Sequence, residues 1–132
     1  MANTMQFDLV TPERKLASFA AGEVQIPGAD GDLTAMEGHA PLITSLRPGV
    51  LRATGPDGLK SFVVSGGFAE VTATGVSVLA ERAVPIEEAT GTIIDQMLDE
   101  ARSLAAAALP EDRDAALKLV HDIEMLRGTV AI

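Results

Sequence analysis

The spacing of apolar residues changes near Pro85, from a period of two to a period of about three and a half. Before this point short segments alternate, as where Met5, Phe7 and Leu9 are separated by polar residues. Alternation puts every second side chain on one face of a strand, whereas a spacing of three or four residues forms a stripe along a helix. The sequence therefore predicts an α+β protein, with a β domain over residues 1–84 and a helical domain over residues 85–132.

The predicted β domain consists of short alternating or β-branched runs that recur about every 8–12 residues. The runs span residues 5–9, 16–19, 24–26, 33–36, 42–46, 50–54, 59–65, 68–73 and 76–81. Short turn-forming motifs separate these runs: Pro27-Gly28, Asp30-Gly31, Pro48-Gly49, Gly55-Pro56-Asp57-Gly58, Gly66-Gly67 and Thr74-Gly75. Regularly spaced short strands of this kind predict an antiparallel β-sandwich or barrel. Gly66-Gly67 suits either a tight hairpin or a bulge.

The helical domain is predicted to be an antiparallel hairpin of two amphipathic helices. Apolar residues at helical spacing are Ile94, Met97, Leu98, Ala101, Leu104, Ala105 and Ala108 in the first helix, and Ala116, Leu119, Val120, Ile123 and Leu126 in the second. Thr92 with Asp95 resembles a capping box at the start of the first helix, and Leu109-Pro110 interrupts the pattern. Acidic residues just after Pro110 suit the start of the second helix, and Gly128 suits its C-cap.

The two predicted helices face each other largely through alanine. Ala101, Ala105 and Ala108 would lie opposite Ala115 and Ala116. Small side chains allow close approach but bury little apolar area, at about 25 cal/mol per Å². Whether the apolar stripe docks on the partner helix, on the sandwich or on another protein, docking is expected to be weak, so the hairpin should detach more readily than the sandwich unfolds.

Charge and composition exclude several functions. Ten basic residues against nineteen acidic ones give a net charge of −9, which disfavours binding to nucleic acid and to anionic lipid. The absence of cysteine removes disulfides and thiolate chemistry. No apolar run approaches the roughly 20 residues of a membrane-spanning helix, and the first residues lack the features of a secretory signal. A soluble protein of the bacterial cytoplasm, without direct lipid insertion, is expected.

No sequence pattern indicates catalysis, a metal site or a bound cofactor. His39 and His121 are more than eighty residues apart, and no metal-binding H-E-x-x-H word is present. No serine lies in G-x-S-x-G, and no glycine-rich word could cradle phosphates. The chain is therefore predicted to have no catalytic residues. A free-standing small-molecule-binding sandwich, or a hydrolase whose residues meet only on folding, is the alternative, and either would need a concave pocket with convergent polar groups.

Six short sequence motifs of the β domain resemble, in order and spacing, those of the epsilon subunits of F-type ATP synthases. They are Val10-Thr11-Pro12-Glu13-Arg14, Val24-Gln25-Ile26-Pro27-Gly28 with Gly31-Asp32, Glu37-Gly38-His39-Ala40-Pro41-Leu42, Pro48-Gly49, Ser65-Gly66-Gly67-Phe68-Ala69-Glu70-Val71 and Val78-Leu79-Ala80-Glu81. The resemblance implies a non-catalytic rotor subunit of the proton-translocating enzyme, held in the central stalk between the gamma subunit and the ring of c subunits. It also implies a peripheral position on the cytoplasmic face of the bacterial inner membrane.

The same resemblance implies which residues meet each partner. Asp30, Gly31 and Asp32 would contact the c ring, where carboxylates can meet basic groups. Thr11, His39 and Thr44 would lie on the side that faces gamma. For the loop residues the alternative is that the carboxylates are simply solvated and His39 is satisfied within its own turn.

The hairpin resembles the family less closely. Some members bind ATP there through an Ile/Leu-Asp-x-x-Arg-Ala word, which 98–103 (Leu-Asp-Glu-Ala-Arg-Ser) resembles except for its last residue. Leu98, Asp99 and Arg102 are thus candidate contacts for ATP as a regulatory ligand. Ile94-Asp95 competes for the same register but has Leu98 in place of the arginine. Asp99 and Arg102 also fit an ordinary surface pair three residues apart.

Hairpins of the family can inhibit ATP hydrolysis by extending to the catalytic alpha and beta subunits, where a basic last helix meets acidic segments. Here residues 85–132 carry ten acidic and four basic residues, a balance of −6, while nine and six give −3 for residues 1–84. A hairpin with this negative charge would be repelled by an acidic segment of a catalytic subunit. It is expected to contact the catalytic subunits only transiently and to inhibit weakly, if at all.

Overall fold

A computed structural model describes residues 4–130, which form two compact units that meet in sequence between Pro85 and Ile86. The first unit contains eight strands: β1 (Met5–Val10), β2 (Lys15–Ala21), β3 (Glu23–Gly28), β4 (Gly31–Met36), β5 (Leu42–Ser45), β6 (Gly49–Gly55), β7 (Gly58–Val71) and β8 (Gly75–Pro85). The second contains α1 (Gly91–Ala107) and α2 (Arg113–Thr129), with short 3₁₀ turns at Ile86–Glu88 and Pro110–Asp112. The predicted fold class, a β-sandwich followed by a helical hairpin, is confirmed.

The strands follow the order β2-β1-β8-β7-β6-β3-β4, and β5 pairs with β7 beside β6. All pairs are antiparallel except β1 with β8, which are parallel. The parallel pair joins the first and last strands of the unit, with Gln6 beside Gly75 and Val10 beside Leu79.

Gly66 and Gly67 form no hairpin turn but lie inside the single long strand β7, merging two of the predicted runs. Both have positive φ, at 73° and 88°, a backbone conformation that favours glycine. The strand pairs with β6 before them and with β5 after them. The glycine pair therefore marks the point where β7 exchanges one neighbour for another. Because β7 pairs with β8 in one unchanged register, from the pair of Phe62 with Pro85 to the pair of Val71 with Val76, no extra residue is inserted, and both predicted geometries, the hairpin and the bulge, are wrong.

The sandwich core is filled mainly by alternate residues of the strands. Phe7 is fully buried, and its ring meets the edge of Phe19 at a centroid distance of 5.2 Å and lies 6.5 Å from Phe62. Aliphatic residues complete the cluster: Met5, Leu9, Ala21, Val24, Ile26, Ala35, Leu46, Leu51, Ala53, Val64, Ala69, Val71, Val76, Val78, Ala80 and Ala83. One continuous core of this size explains why the domain needs no disulfide or metal to hold its strands together.

The hairpin differs from its prediction at both helix ends. The N-cap of α1 is Thr90, whose hydroxyl accepts a hydrogen bond from the amide of Ile93 at 3.4 Å, so the prediction that Thr92 opens a capping box is wrong. Gly128 lies inside α2, which continues to Thr129, so it is not the C-cap. The interruption at Leu109-Pro110 is confirmed, because Pro110 begins a 3₁₀ turn between the helices.

Packing between the helices is uneven along the hairpin. The buried residues lie toward the start of α1, up to Ala101, and in the second half of α2, and they are Ile94, Met97, Leu98, Ala101, Ile123 and Leu126. Toward the turn, Ala105 and Ala116 are only half-buried, and Ala115 is exposed rather than in the predicted seam. The turn end of the hairpin therefore holds little apolar area.

Candidate interaction surfaces

The acidic residues Asp30 and Asp32 flank the tight turn between β3 and β4. Gly28 and Gly31 form the last pair of these strands, and Gly31 has a φ of 137°. Both aspartates are exposed, but only Asp32 has an ionic partner among residues 4–130, the guanidinium of Arg47. The turn thus presents two carboxylates, of which one is neutralised from within the chain.

The Gly-His-Ala-Pro loop between β4 and β5 is fixed mainly by its own backbone. Gly38 has a φ of 86°, and its amide donates to the carbonyl of Ala73 at 2.8 Å. The His39 amide donates to Met36, and its ring nitrogen Nδ1 lies 2.6 Å from the carbonyl oxygen of Ala40. His39 is only half-buried, and with Nδ1 as the donor its Nε2 is left as an acceptor for a partner.

The hydroxyls of Thr11 and Thr44 are engaged within the sandwich. Thr11 is only 7% exposed, and its hydroxyl donates to the carbonyl and accepts from the amide of Arg14. Thr44 pairs across strands with Ala69, which is fully buried, so its side chain lies on the inner face of the sheet. Thr11 is thus buried, while Thr44 is half-buried like His39 and its hydroxyl donates to the carbonyl of Ser45 at 3.1 Å.

Sequence reasoning missed an exposed apolar surface on the outer face of β5, β7 and β8. Ile43, Phe68 and Leu79 are 65%, 45% and 46% exposed, and we call them the apolar patch. Phe68 pairs directly with Leu79, and Ile43 lies two residues along β5 from the partner of Phe68. The alternation of residues in β7 and β8 could have predicted this surface. Each of Phe68 and Leu79 has a smaller apolar neighbour in sequence that occupies a core position, so the two large side chains must lie on the outer face.

Carboxylates surround the apolar patch. Glu70 pairs with Ile43 across the strands, and Glu81 lies so close over Gly66 that a Cβ there would be 2.7 Å from its carboxyl carbon. Asp8 lies on the same outer face, in register with Ser77 of β8 and Ser18 of β2. The hydroxyl of Ser18, the amide of Gln6 and the charge of Lys15 lower the pKa of Asp8, against a smaller opposing effect of burial. The surface is therefore apolar at its centre, with Glu70 and Glu81 at its rim and Asp8 paired to Lys15 at 3.9 Å.

The candidate ATP contacts of the hairpin lie beside one open cleft of about 550 Å³, and the structure brings them together. The lining residues are Asp95, Leu98, Asp99, Arg102, Glu124 and Arg127. Arg102 pairs with Glu124 at 3.4 Å, and Arg127 pairs with Asp95. Both arginines of the cleft thus already have carboxylate partners on the opposite helix.

Within residues 4–130, no group of three His, Cys, Asp or Glu side chains could hold a metal ion. Over the same residues, none of the helices has both the length and the apolarity to cross a membrane.

Comparison with known proteins agrees with this architecture. The family model of the ATP synthase delta/epsilon chain, beta-sandwich domain, matches residues 4–86. ATP synthase epsilon chain 1 of Cereibacter sphaeroides is 62% identical over 129 residues, covering 98% of each chain. The epsilon chain of Fuscovulum blasticum is 58% identical over 97% of each chain, so the match includes the hairpin.

Solved structures show the same fold at lower identity. A chain in the cryo-EM structure of the Euglena gracilis mitochondrial ATP synthase superposes with a TM-score of 0.74 at 24% identity, covering 99% of this chain and 83% of that one. The central stalk and c-ring structure from Tetrahymena thermophila gives a TM-score of 0.54 at 20% identity, covering 66% and 70%. At these identities the likeness concerns the fold alone.

Proposed function

The chain belongs to the epsilon-chain family of ATP synthases and is therefore a subunit of that enzyme, and we propose that its sandwich couples the gamma subunit to the c ring. In this role it has no catalytic residues of its own. It lies peripherally on the cytoplasmic face of a bacterial inner membrane, a location that the 62% and 58% identity to two bacterial epsilon chains supports. The apolar patch is the main observation that supports the proposed contact with gamma, and the acidic β3–β4 turn supports the proposed contact with the c ring.

The apolar patch has the composition of an interface core. Three large side chains lie exposed next to one another on a sheet face, and one of them is aromatic. Aromatic and aliphatic residues are favoured at the centre of an interface, with polar residues around them. The rim of Glu70, Glu81 and Asp8 fits a gamma surface with basic residues around an apolar centre. His39 can add a hydrogen bond through its outer ring nitrogen, while Thr11 and Thr44 support this side of the domain from within.

The test is binding of the full chain to the gamma subunit of the same bacterium. Replacing Phe68 and Leu79 together by serine should weaken the complex at least tenfold, because a few central residues carry most of the binding energy. Leu59→Ser is the matched control, since Leu59 is 61% exposed on the same strand β7 but lies outside the patch. Equal affinity of the double variant and the control would contradict the assignment of this face to gamma.

The ring contact is proposed to lie at Asp30, Gly31 and Asp32. Gly31 closes the turn at a positive φ, so the two aspartates project from a short, fixed loop. Exposed carboxylates on such a loop can meet basic groups of a partner, and this attraction weakens as salt screens it.

Any regulatory ATP is proposed to bind weakly in the hairpin cleft. Its phosphates would have to displace Glu124 from Arg102 and Asp95 from Arg127, and Asp99 would add further repulsion. We therefore expect a dissociation constant of about 1 mM or weaker by calorimetry. Glu124→Gln should tighten binding by freeing Arg102, and Asp122→Asn is the control outside the cleft. Micromolar affinity of the unmodified chain would contradict the proposal.

The hairpin is proposed to inhibit ATP hydrolysis weakly. Its balance of −6 opposes approach to acidic segments of the catalytic subunits, which it would contact only transiently. Assembled enzyme that lacks residues 86–132 should hydrolyse ATP within about twofold of enzyme with the full chain. A large rise in hydrolysis on deletion would show that the acidic hairpin inhibits after all.

A further inference from the structure

Arg47 contacts the β3–β4 turn at three points. Its backbone amide donates to the carbonyl of Pro27 at 3.0 Å. Its side chain donates from Nη1 to the carbonyl of Gly28 at 2.6 Å and pairs through Nη2 with the carboxylate of Asp32. A planar guanidinium can hold two acceptors at once in this way, whereas an ammonium is a single point of charge.

The backbone around Arg47 is itself held against the turn. Leu46 forms a bridge with Gly28, and the amide of Ala29 donates to the carbonyl of Ser45 at 2.8 Å. Gly49 lies so close to Pro27 that a Cβ would come within 2.7 Å of the proline ring. Arg47 is thus fixed at its own backbone, and its side chain is only 28% exposed. The guanidinium therefore has a defined position from which to hold the turn.

The contacts of Arg47 make the two aspartates of the turn unequal. Asp32 is neutralised by the guanidinium, although its side chain is 77% exposed. Asp30 is exposed and has no ion pair or hydrogen bond within residues 4–130. Together the three groups carry one net negative charge, and that charge is available at Asp30.

We propose that Arg47 is a positioning residue that fixes the β3–β4 turn and neutralises Asp32, so that Asp30 alone meets a basic group of the c ring. This inference rests on the proposed ring contact. It goes further in naming Arg47 as the determinant of the geometry and net charge of the turn. It also assigns the recognition to one carboxylate rather than two.

The test measures binding of the full chain, assembled with gamma, to detergent-solubilised c ring at about 0.05 M and about 0.5 M salt, which separate screened from unscreened charge. Asp30→Asn should weaken binding at low salt roughly tenfold and remove most of its salt dependence, whereas Arg47→Ala combined with Asp32→Asn keeps the turn at a net charge of −1 and should keep the salt dependence. Equal loss of salt dependence in these two variants would overturn the assignment to Asp30.

Arg47→Ala should have two separable effects. The untethered turn should weaken binding at high salt roughly fivefold, because the loop must then be ordered on binding. The freed Asp32 should make the salt dependence steeper, since the net charge of the turn doubles. Adding Asp32→Asn to Arg47→Ala should restore the original salt dependence but not the affinity at high salt. A change in stability alone would not move the salt dependence in this manner.

Two further variants complete the design. Arg47→Lys keeps the charge but not the simultaneous hold on Gly28 and Asp32, so it should show the original salt dependence with an intermediate affinity at high salt. Lys60→Ala removes one exposed positive charge elsewhere and should leave both quantities unchanged. If Arg47→Ala behaves like Lys60→Ala, the positioning role is wrong. If the unmodified chain fails to bind the ring at either salt, the proposed ring contact itself is wrong.

Discussion

The sandwich and the hairpin are stabilised in different ways. In the sandwich, strands distant in sequence pair with one another, and the ring of Phe7 in the continuous core lies next to those of Phe19 and Phe62. In the hairpin, two neighbouring helices bury large side chains at one end and chiefly alanine toward the turn. Since buried apolar area is the main source of stability, the sandwich should be the more stable unit and the hairpin should open at lower free energy.

Arginine pairs show the same contrast between the two units. Arg47 of the sandwich is mostly buried and holds backbone as well as a carboxylate. Arg102 of the hairpin is 55% exposed and pairs with a half-exposed Glu124. Exposed pairs of this kind contribute about 0–1 kcal/mol. Charge in the sandwich therefore fixes a loop, while charge in the hairpin can be exchanged at little cost.

Removing the central aromatic ring of the sandwich should have the largest effect on the free energy of unfolding. A small effect would contradict the difference in stability between the sandwich and the hairpin. Phe7→Ala should destabilise the sandwich by about 3–5 kcal/mol, because it removes a fully buried ring and leaves a cavity. The measurement is chemical denaturation followed by circular dichroism. Leu104→Ala in α1 is the matched control, since Leu104 is 62% exposed and should cost less than about 0.5 kcal/mol. Similar costs for the two variants would contradict a dominant sandwich core.

The glycine pair of β7 should give the next largest effect. Gly67→Ala should cost about 2–3 kcal/mol, because φ is 88° and the new Cβ would lie 1.9 Å from the carbonyl oxygen of Leu79. Gly58→Ala isolates the clash, since Gly58 also has a positive φ, 106°, but no atom lies within 4 Å of the added carbon. The thermal midpoint of Gly67→Ala should be clearly lower than that of Gly58→Ala. Equal midpoints would mean that β7 and β8 can move apart at this point.

The sequence predicted the class and order of elements well because periodicity is a local property. Strand and helix regions, the break at Pro110 and most of the core follow from alternate or helical spacing. The continuity of β7 could not be predicted in the same way. Whether two glycines turn a chain or bend a strand depends on β5, β6 and β8, which lie far apart in sequence.

The interaction surfaces were less predictable for the same reason. The acidic turn and the His39 loop were recognised from their sequence motifs, but predicting the apolar patch requires knowing which face of β7 is exposed after the glycine pair. The hold of Arg47 on Asp32 joins residues fifteen apart in sequence across two elements. The predicted helix ends were wrong by a few residues. Thr90 and Thr92 are both residue types that cap helices, and the hydrogen bond from the amide of Ile93 to the Thr90 hydroxyl identifies Thr90 as the cap.

Replacing a glycine of the hairpin by alanine should increase stability, whereas the same replacement of Gly67 should decrease it. Gly128 lies inside α2 with no atom within 4 Å of an added Cβ, so Gly128→Ala should stabilise the helix by about 0.5–1 kcal/mol. Hydrogen exchange of α2 amides should slow accordingly, while exchange in β1 and β8 should not change. Faster exchange in α2 would show that the helix ends before this residue and that Gly128 acts as a C-cap.

The smallest expected effect concerns pH and the outer face of the sandwich. The Ser18 hydroxyl, the Gln6 amide and Lys15 lower the pKa of Asp8 below its ordinary value of 3.8 in the folded state. A lowered carboxyl pKa adds stability that is present above the ordinary pKa and is lost as pH falls through the folded one. Because Asp8 is partly solvated, Asp8→Asn should cost only about 0.2–0.5 kcal/mol at pH 7.

The stability gap between the original chain and Asp8→Asn should close as the solution is acidified below about pH 4. Denaturant titrations at about pH 7 and about pH 3 measure it. Ser18→Ala removes the largest of the three causes, so it should reduce the gap at neutral pH while leaving the carboxylate in place. A gap that stays constant with pH would assign the effect of Asp8 to its packing on the sheet rather than to its charge, and the sandwich would then resemble the hairpin in gaining little from its exposed charges.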